Sequence, residues 1–147
     1  MDAWIANQDR HHENWGLINH EKRIYLAPTF DHAASMGQNE TDATREKRLT
    51  TRDHGRHIRH YVTKARSAIY DQRTSKKPLT TLALFELAAH KSPRAGATWL
   101  KRLAQVREES VQSIFDELSP KDASPLAKEF AQTLLSLNQM RLLELRS

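Results

Sequence analysis

Asn7-Gln8-Asp9-Arg10-His11-His12-Glu13-Asn14, read together with Asp31 downstream, is the stretch around which the chain is organised. It holds two oxygen-bearing groups at a fixed interval, the Asp9 carboxylate and the Asn14 amide, five positions apart. A carboxylate can orient and deprotonate a hydroxyl, and an amide oxygen can reach a hard cation such as Mg²⁺. Trp15 and Leu17 are then followed by Ile24 and Leu26 across the polar turn Asn19-His20-Glu21-Lys22, which is a hairpin signal. Such a hairpin returns the chain, so that Asp31, closing Leu26-Ala27-Pro28-Thr29-Phe30-Asp31, can stand beside Asn14 as a second metal ligand.

Outward from this centre the pattern is helical. Asp2 to Gln8 reads as the end of a helix, with Trp4 and Ile5 as its apolar contacts. From His32 to Gly55 apolar side chains are nearly absent and Gly37, Gln38, Asn39, Thr41 and Asp42 favour turns, so residues 32–55 read as a mobile surface segment. Ile58, Tyr61, Val62, Ala65 and Ile69 recur at helical spacing and predict a helix from Arg56 to Tyr70, followed by a polar link from Asp71 to Pro78. A second helix begins after Thr80 or Thr81 and ends before Ser92-Pro93. A third, between Gly96 and Pro120, carries Trp99, Leu100, Leu103, Val106, Val111, Ile114, Phe115 and Leu118, all expected in the core. The fourth has a clear start, with Ser124 as N-cap and Pro125 in the first turn, and continues through Phe130, Leu134, Leu135 and Leu142. The fold class is therefore mainly α: a helical bundle with one small β-hairpin that delivers Asp31.

A chain of 147 residues is one domain by size, and such a domain buries about 68–70% of its unfolded surface without needing a staple. The absence of cysteine excludes disulfides, zinc–thiolate sites and cysteine nucleophiles, and fits a reducing cytoplasm. No apolar run reaches the roughly 18 residues of a membrane span, and the N-terminus lacks a signal-peptide pattern. A soluble cytoplasmic protein is expected. His54, His57 and His60 share a potential helical face, but their spacing matches no metal signature. The net charge of +5 is uneven, because residues 44–66 carry +6 and the remainder −1. Arg45, Lys47, Arg48, Arg52, Arg56, Arg59, Lys64 and Arg66 there face only Glu46 and Asp53, a composition suited to phosphates or acidic partners.

Asp9-Arg10-His11 followed by Asn14, then a hairpin, then Phe30-Asp31-His32-Ala33-Ala34-Ser35, resembles the C-terminal, catalytic part of the HipA-like Ser/Thr kinases. The Asp-Arg-His-x-x-Asn run is more loosely similar to the catalytic loop of phosphoinositide lipid kinases. Leu79-Thr80-Thr81 opening a helix, Trp99, and Ser124-Pro125-Leu126-Ala127-Lys128-Glu129-Phe130-Ala131 extend the first resemblance over most of the chain, although its chemical part lies within residues 1–31. The resemblance implies a kinase C-lobe, with a catalytic loop and metal-binding hairpin at 1–31, an activation-loop-like segment at 32–55 and a helical bundle at 56–147. It further implies ATP and Mg²⁺ as cofactors, with Asp9 as the hydroxyl-orienting base, Arg10 and His11 supporting the loop, and Asn14 and Asp31 as the metal and nucleotide ligands.

Such kinases place a nucleotide-binding lobe before the catalytic loop, whereas here Asp9 follows Met1 by eight residues. The expectation is a truncated kinase that is inactive without a separately encoded N-lobe, with apolar surface exposed around Trp4, Ile5, Trp15 and Leu17 and a tendency to self-associate. Two function classes follow. In the first the chain phosphorylates a protein substrate, as the toxin half of a toxin–antitoxin pair. In the second it is a non-catalytic kinase-fold module whose basic segment holds an antitoxin, a nucleic acid or an acidic protein.

Overall fold

The computed structural model describes residues 1–145. Within them the chain is mainly helical, with one small antiparallel hairpin. The short helix α1 (Asp2–Ile5) leads through a 3-10 turn (His12–Asn14) to β1 (Leu17–His20) and β2 (Arg23–Leu26). Then come α2 (Asp42–Thr50), α3 (Ile58–Tyr61), α4 (Thr81–Lys91), α5 (Pro93–Leu103), α6 (Glu108–Asp116) and the long α7 (Pro125–Glu144). In the hairpin Leu17 pairs with Leu26 and Ile18 with Tyr25, and Glu21 and Lys22 close it with φ of 50° and 63°. Two successive left-handed residues match the right-handed strand twist, so a two-residue turn suffices without glycine. Asn19 and His20, read as part of the turn, are strand residues instead.

The twenty-residue α7 is the axis of the core. Ser124 caps it by accepting from the Ala127 amide, and Pro125 stands in its first turn, where its missing N–H costs nothing. Phe130, Leu134, Leu135, Leu137 and Leu142 are buried along it, against Ile5, Ile58, Val62 and Ala65 on one side and Ala3 and Leu100 on the other. The two ends of the chain are stapled by polar bonds. The Trp4 indole donates to the Leu135 carbonyl at 3.1 Å, and the buried Asn138 amide donates to the Trp4 carbonyl at 3.0 Å. Trp4 and Ile5 are therefore interior contacts, which corrects the expectation that they form exposed surface.

Four further expectations fail. Residues 32–55 are not a stretch without regular structure: Thr41 caps the nine-residue α2, and Gly37 (φ 69°) lies so close to Phe130 that no Cβ fits between them. The predicted helix from Arg56 to Tyr70 stops at Tyr61, because residues 65–69 pair instead with 79–81: the Ser67 amide donates to Leu79, Leu79 to Ile69, and Thr81 to Ala65. The predicted third helix is two helices, α5 and α6, broken between Ala104 and Arg107 and braced there by the Gln139 amide, which donates to the carbonyls of Leu103 and Val106. Trp99 and Ile114, assigned to the core, are 58% and 65% exposed. No described helix is long and apolar enough to cross a membrane.

Candidate active site

The centre of the site is a buried cation. Arg10 is 1% exposed and spends its guanidinium on five partners from three segments. Its Nε and Nη2 fork onto the Asp2 carboxylate of α1 at 2.9 and 2.8 Å. Its Nη1 donates to the carbonyl of Asn14 at 2.6 Å and to that of Phe30 at 3.3 Å, while His32 Nδ1 lies 3.3 Å from Nη2. Trp15 stands under the same guanidinium, 5.7 Å from its ring centre. One side chain thus ties the end of the 7–14 loop to the residues on either side of Asp31. A planar, permanently charged fork is suited to this, since a buried charge is tolerated only when paired and fully hydrogen-bonded.

Asp2 and Asn7 complete the frame. Burial pushes the Asp2 carboxyl up, but the hydrogen bonds from Arg10 and from Asn7 Nδ2 (3.0 Å) outweigh it and hold Asp2 below the usual carboxylate range. Asn7, fully buried, accepts the Asp9 amide on its side-chain oxygen at 3.1 Å, which sets the backbone of Asp9. The Gln8 amide donates to the Ala34 carbonyl at 3.1 Å, and the Ala68 amide to the Arg10 carbonyl at 3.0 Å. The loop is consequently fixed along its length by α1, by the chain after Asp31 and by the chain after α3.

On this frame the predicted residues divide into two kinds. Arg10 faces inward and acts through others, as a positioning residue. Asp9 faces outward, its carboxylate 57% exposed, with His11 Nε2 at 3.8 Å from Oδ1. His11 is half-buried, and its Nδ1 accepts the Glu13 amide at 3.3 Å to start the 3-10 turn. That turn presents Asn14, whose Nδ2 donates to the Asp9 carbonyl at 2.9 Å. The Asn14 oxygen accepts no hydrogen bond among the described residues and is not sealed from solvent. Asp31 is exposed, carries no ion pair among the described residues, and holds a left-handed backbone, φ 55°. Asp is among the few residue types with a Cβ that adopt this conformation as single residues. Asp31 stands five residues beyond β2 rather than on the hairpin itself.

The free donors in this group are oxygens: one amide oxygen and two carboxylates. They fit Mg²⁺, a hard cation held by one or two protein oxygens together with phosphates and water. Among the described residues no group of three His, Cys, Asp or Glu side chains converges on a metal position, so the histidines weighed above form no cluster. His57 instead caps α3 by accepting the Arg59 amide.

The framing roles of Asp2, Asn7 and His32 around Arg10 were not read in the sequence, where His32 was weighed only with His11 and His12 as a conceivable metal group. A single Asp eight residues ahead of an Arg carries no periodic or motif signal, and only the fold turns it into a bidentate partner. The basic segment is also changed by structure. Arg45 pairs with Asp42 at 2.6 Å, Arg48 forks onto Glu40 and lies 4.6 Å above Tyr61, and Arg56 pairs with Asp53. Two of these carboxylates lie just ahead of Thr44, and three of the eight cations are ion-paired within the chain. Comparison with protein-family models, curated proteins and solved structures finds no match for this chain.

Proposed function

We propose that the chain is the catalytic lobe of a HipA-like Ser/Thr protein kinase, moving the γ-phosphoryl group of ATP to a protein hydroxyl, in the setting of a toxin–antitoxin pair. The observation that carries the reading is the single buried guanidinium joining the Asn14 end of the loop to the flanks of Asp31. It bonds the Asn14 backbone to Phe30 and His32, the neighbours of Asp31, on a frame from which the Asp9 and Asp31 carboxylates stand exposed. A HipA-like assignment rests on the Asp9-Arg10-His11-x-x-Asn14 run and on the Phe30-Asp31-His32 sequence that follows the hairpin.

In this reading Asp9, exposed and backed by His11, receives the proton of the acceptor hydroxyl as its oxygen bonds to the γ-phosphorus and the bond to ADP breaks. Mg²⁺ held by Asn14 and Asp31 would offset charge on the phosphate oxygens. Arg10 and Asp2 keep the loop and the Asp31 segment in register, and Asn7 holds the Asp9 backbone. The ion pairing of Arg45, Arg48 and Arg56 gives the alternative, a non-catalytic module working through its basic segment, less support than composition alone suggests.

Calorimetric titration of Mg·ATP tests the reading, using the chain alone and with the product encoded immediately upstream. Magnesium-dependent binding is expected in at least one preparation, weakened ten-fold or more by Asn14→Ala or Asp31→Ala. In the preparation that transfers phosphate, Asp9→Asn should abolish transfer and keep nucleotide binding. Absence of magnesium-dependent binding in both preparations, or full transfer by the Asp9→Asn protein, overturns it.

A further inference from the structure

The loop from Tyr70 to Pro78 is set on a rigid neck that is itself bonded to the candidate catalytic loop. At the neck Arg66 bridges to Thr80, and the Ser67 amide donates to Leu79 and Leu79 to Ile69 at 3.0 and 2.9 Å. The buried Ser67 hydroxyl bonds within the same corner, accepting the Ile69 amide at 3.2 Å, and Arg66 Nη1 donates to the Pro78 carbonyl at 2.7 Å. The next residue, Ala68, donates its amide to the carbonyl of Arg10 at 3.0 Å. Asp9 precedes Arg10 and Tyr70 lies two residues beyond Ala68, so chain geometry keeps their backbones within about 18 Å of each other.

Above this neck is an open cavity of about 600 Å³ lined by Tyr70, Asp71, Gln72, Arg73, Ser75 and Lys76. Tyr70 is half exposed, and the loop carries Arg73, Lys76 and Lys77 against one carboxylate, Asp71. None of these three cations is ion-paired among the described residues, unlike Arg45, Arg48 and Arg56 in the basic segment. The loop therefore combines unspent positive charge, an aromatic face and hydrogen-bonding side chains on one concave surface. Its neck fixes that surface relative to Asp9.

We propose that the Tyr70–Lys77 loop is a recognition site for an acidic peptide segment, which it holds so that a hydroxyl elsewhere on the same polypeptide reaches Asp9. The acceptor role rests on the phosphotransferase reading, whereas the binding site does not. Opposite charge raises the local concentration of such a segment and orients it, and a fixed distance to Asp9 converts that binding into positioning. Asp71 within the lining argues for a discrete peptide with its own donors over a continuous phosphate backbone.

The test uses the full chain and a fluorescein-labelled peptide of Glu and Asp around one Ser, titrated by anisotropy at low salt. An otherwise identical peptide with Lys in place of the acids, and a single-stranded oligonucleotide, serve as comparisons. The acidic peptide should bind, the Lys peptide should bind at least ten-fold more weakly, and raising the salt should weaken the complex. The double variant Arg73→Glu/Lys76→Glu should lose ten-fold or more in affinity, with a far-UV spectrum and melting temperature matching the parent because both side chains stand on an exposed loop. Tyr70→Ala should weaken binding separately without changing its salt dependence. Asp9→Asn should leave peptide affinity unchanged.

Equal affinity in parent and double variant overturns the proposal, as does tighter, loop-dependent binding of the oligonucleotide. Loop-dependent peptide binding without phosphate transfer in any preparation upholds the site and removes the phosphotransferase reading alone. Transfer to acceptors that ignores the charge reversal removes the site and leaves that reading standing.

Discussion

Arg10 has no solvent to fall back on, and this makes Asp2 the most consequential acidic residue of the chain. Removing one partner of a buried, hydrogen-bonded ion pair leaves the other charge uncompensated, which costs about 3–5 kcal/mol. Asp2→Ala should therefore lower stability by that order in urea denaturation, more than loss of any surface pair such as Arg56–Asp53. The same contact fixes a pH dependence. Because the folded-state pKa of Asp2 is depressed, its contribution is present in full above the unfolded carboxylate value, about 3.9, and is lost as pH falls through the lower folded value. The gap in urea midpoint between the parent and Asp2→Asn should close progressively as pH falls below about 4. A gap that persists unchanged at pH 2 would show that Asp2 is not held as a carboxylate by Arg10.

At the scale of elements, the segment between Asp31 and α3 shows how far local sequence carries and where it stops. Thr41 and the charged run to Thr50 contain the N-cap and good helix formers of α2, but with Leu49 as almost the sole apolar residue no periodicity announces the helix. Its order comes from tertiary contacts, Gly37 against Phe130 and Arg48 above Tyr61, joined by the Glu40–Arg48 pair and the local i,i+3 pair Asp42–Arg45. The converse error lies at residues 62–69, where helical spacing is present and the backbone still pairs across to 79–81, because those strand-like bonds satisfy it between buried Ala65, Ser67 and Thr81. Signals confined to a few neighbouring residues, such as the Ser124 cap and the hairpin, were legible. The partners supplied from far along the chain, Asp2 to Arg10 and Ala68 to Arg10 among them, were not. Gly37→Ala tests the tertiary account of the 32–55 segment. It adds a Cβ at positive φ and drives it into a fully buried ring, so it should cost about 3 kcal/mol or more. Amide exchange across α2 should then rise toward the unprotected limit while the α7 centre remains protected. Equal loss of protection in both helices would mean that α2 and α7 unfold as one unit.

For the molecule as a whole, burial is lopsided. Around α7 the core is closed, with Phe130 and Leu134 fully inaccessible, while the hairpin on the other side of the Arg10 frame is exposed on both faces. Leu17, Ile24 and Leu26 share one face of the hairpin, as their register requires, and are 72%, 71% and 59% exposed; Ile18 and Tyr25 stand on the other at 47% each. Trp15 and Phe30 extend the patch at its base. A two-stranded hairpin in water is marginal by itself, and a contiguous apolar surface of this kind on a protein marks a contact face. The hairpin is held at its base, where the Ala27 amide donates to Gly16 at 2.8 Å and Arg10 grips the Phe30 carbonyl, so it stays formed and presents that surface. The isolated chain should accordingly associate as its concentration rises, in the micromolar range and above, as read by size-exclusion chromatography with light scattering. Leu17→Lys with Ile24→Lys puts two charges on the shared face without touching the core or the Arg10 contacts. That variant should return the chain to a monomer with its melting temperature lowered by no more than a few degrees at equal, low concentration. A parent protein that stays monomeric at several hundred micromolar would show that the apolar face is tolerated in water and is not a contact surface for further copies of the chain.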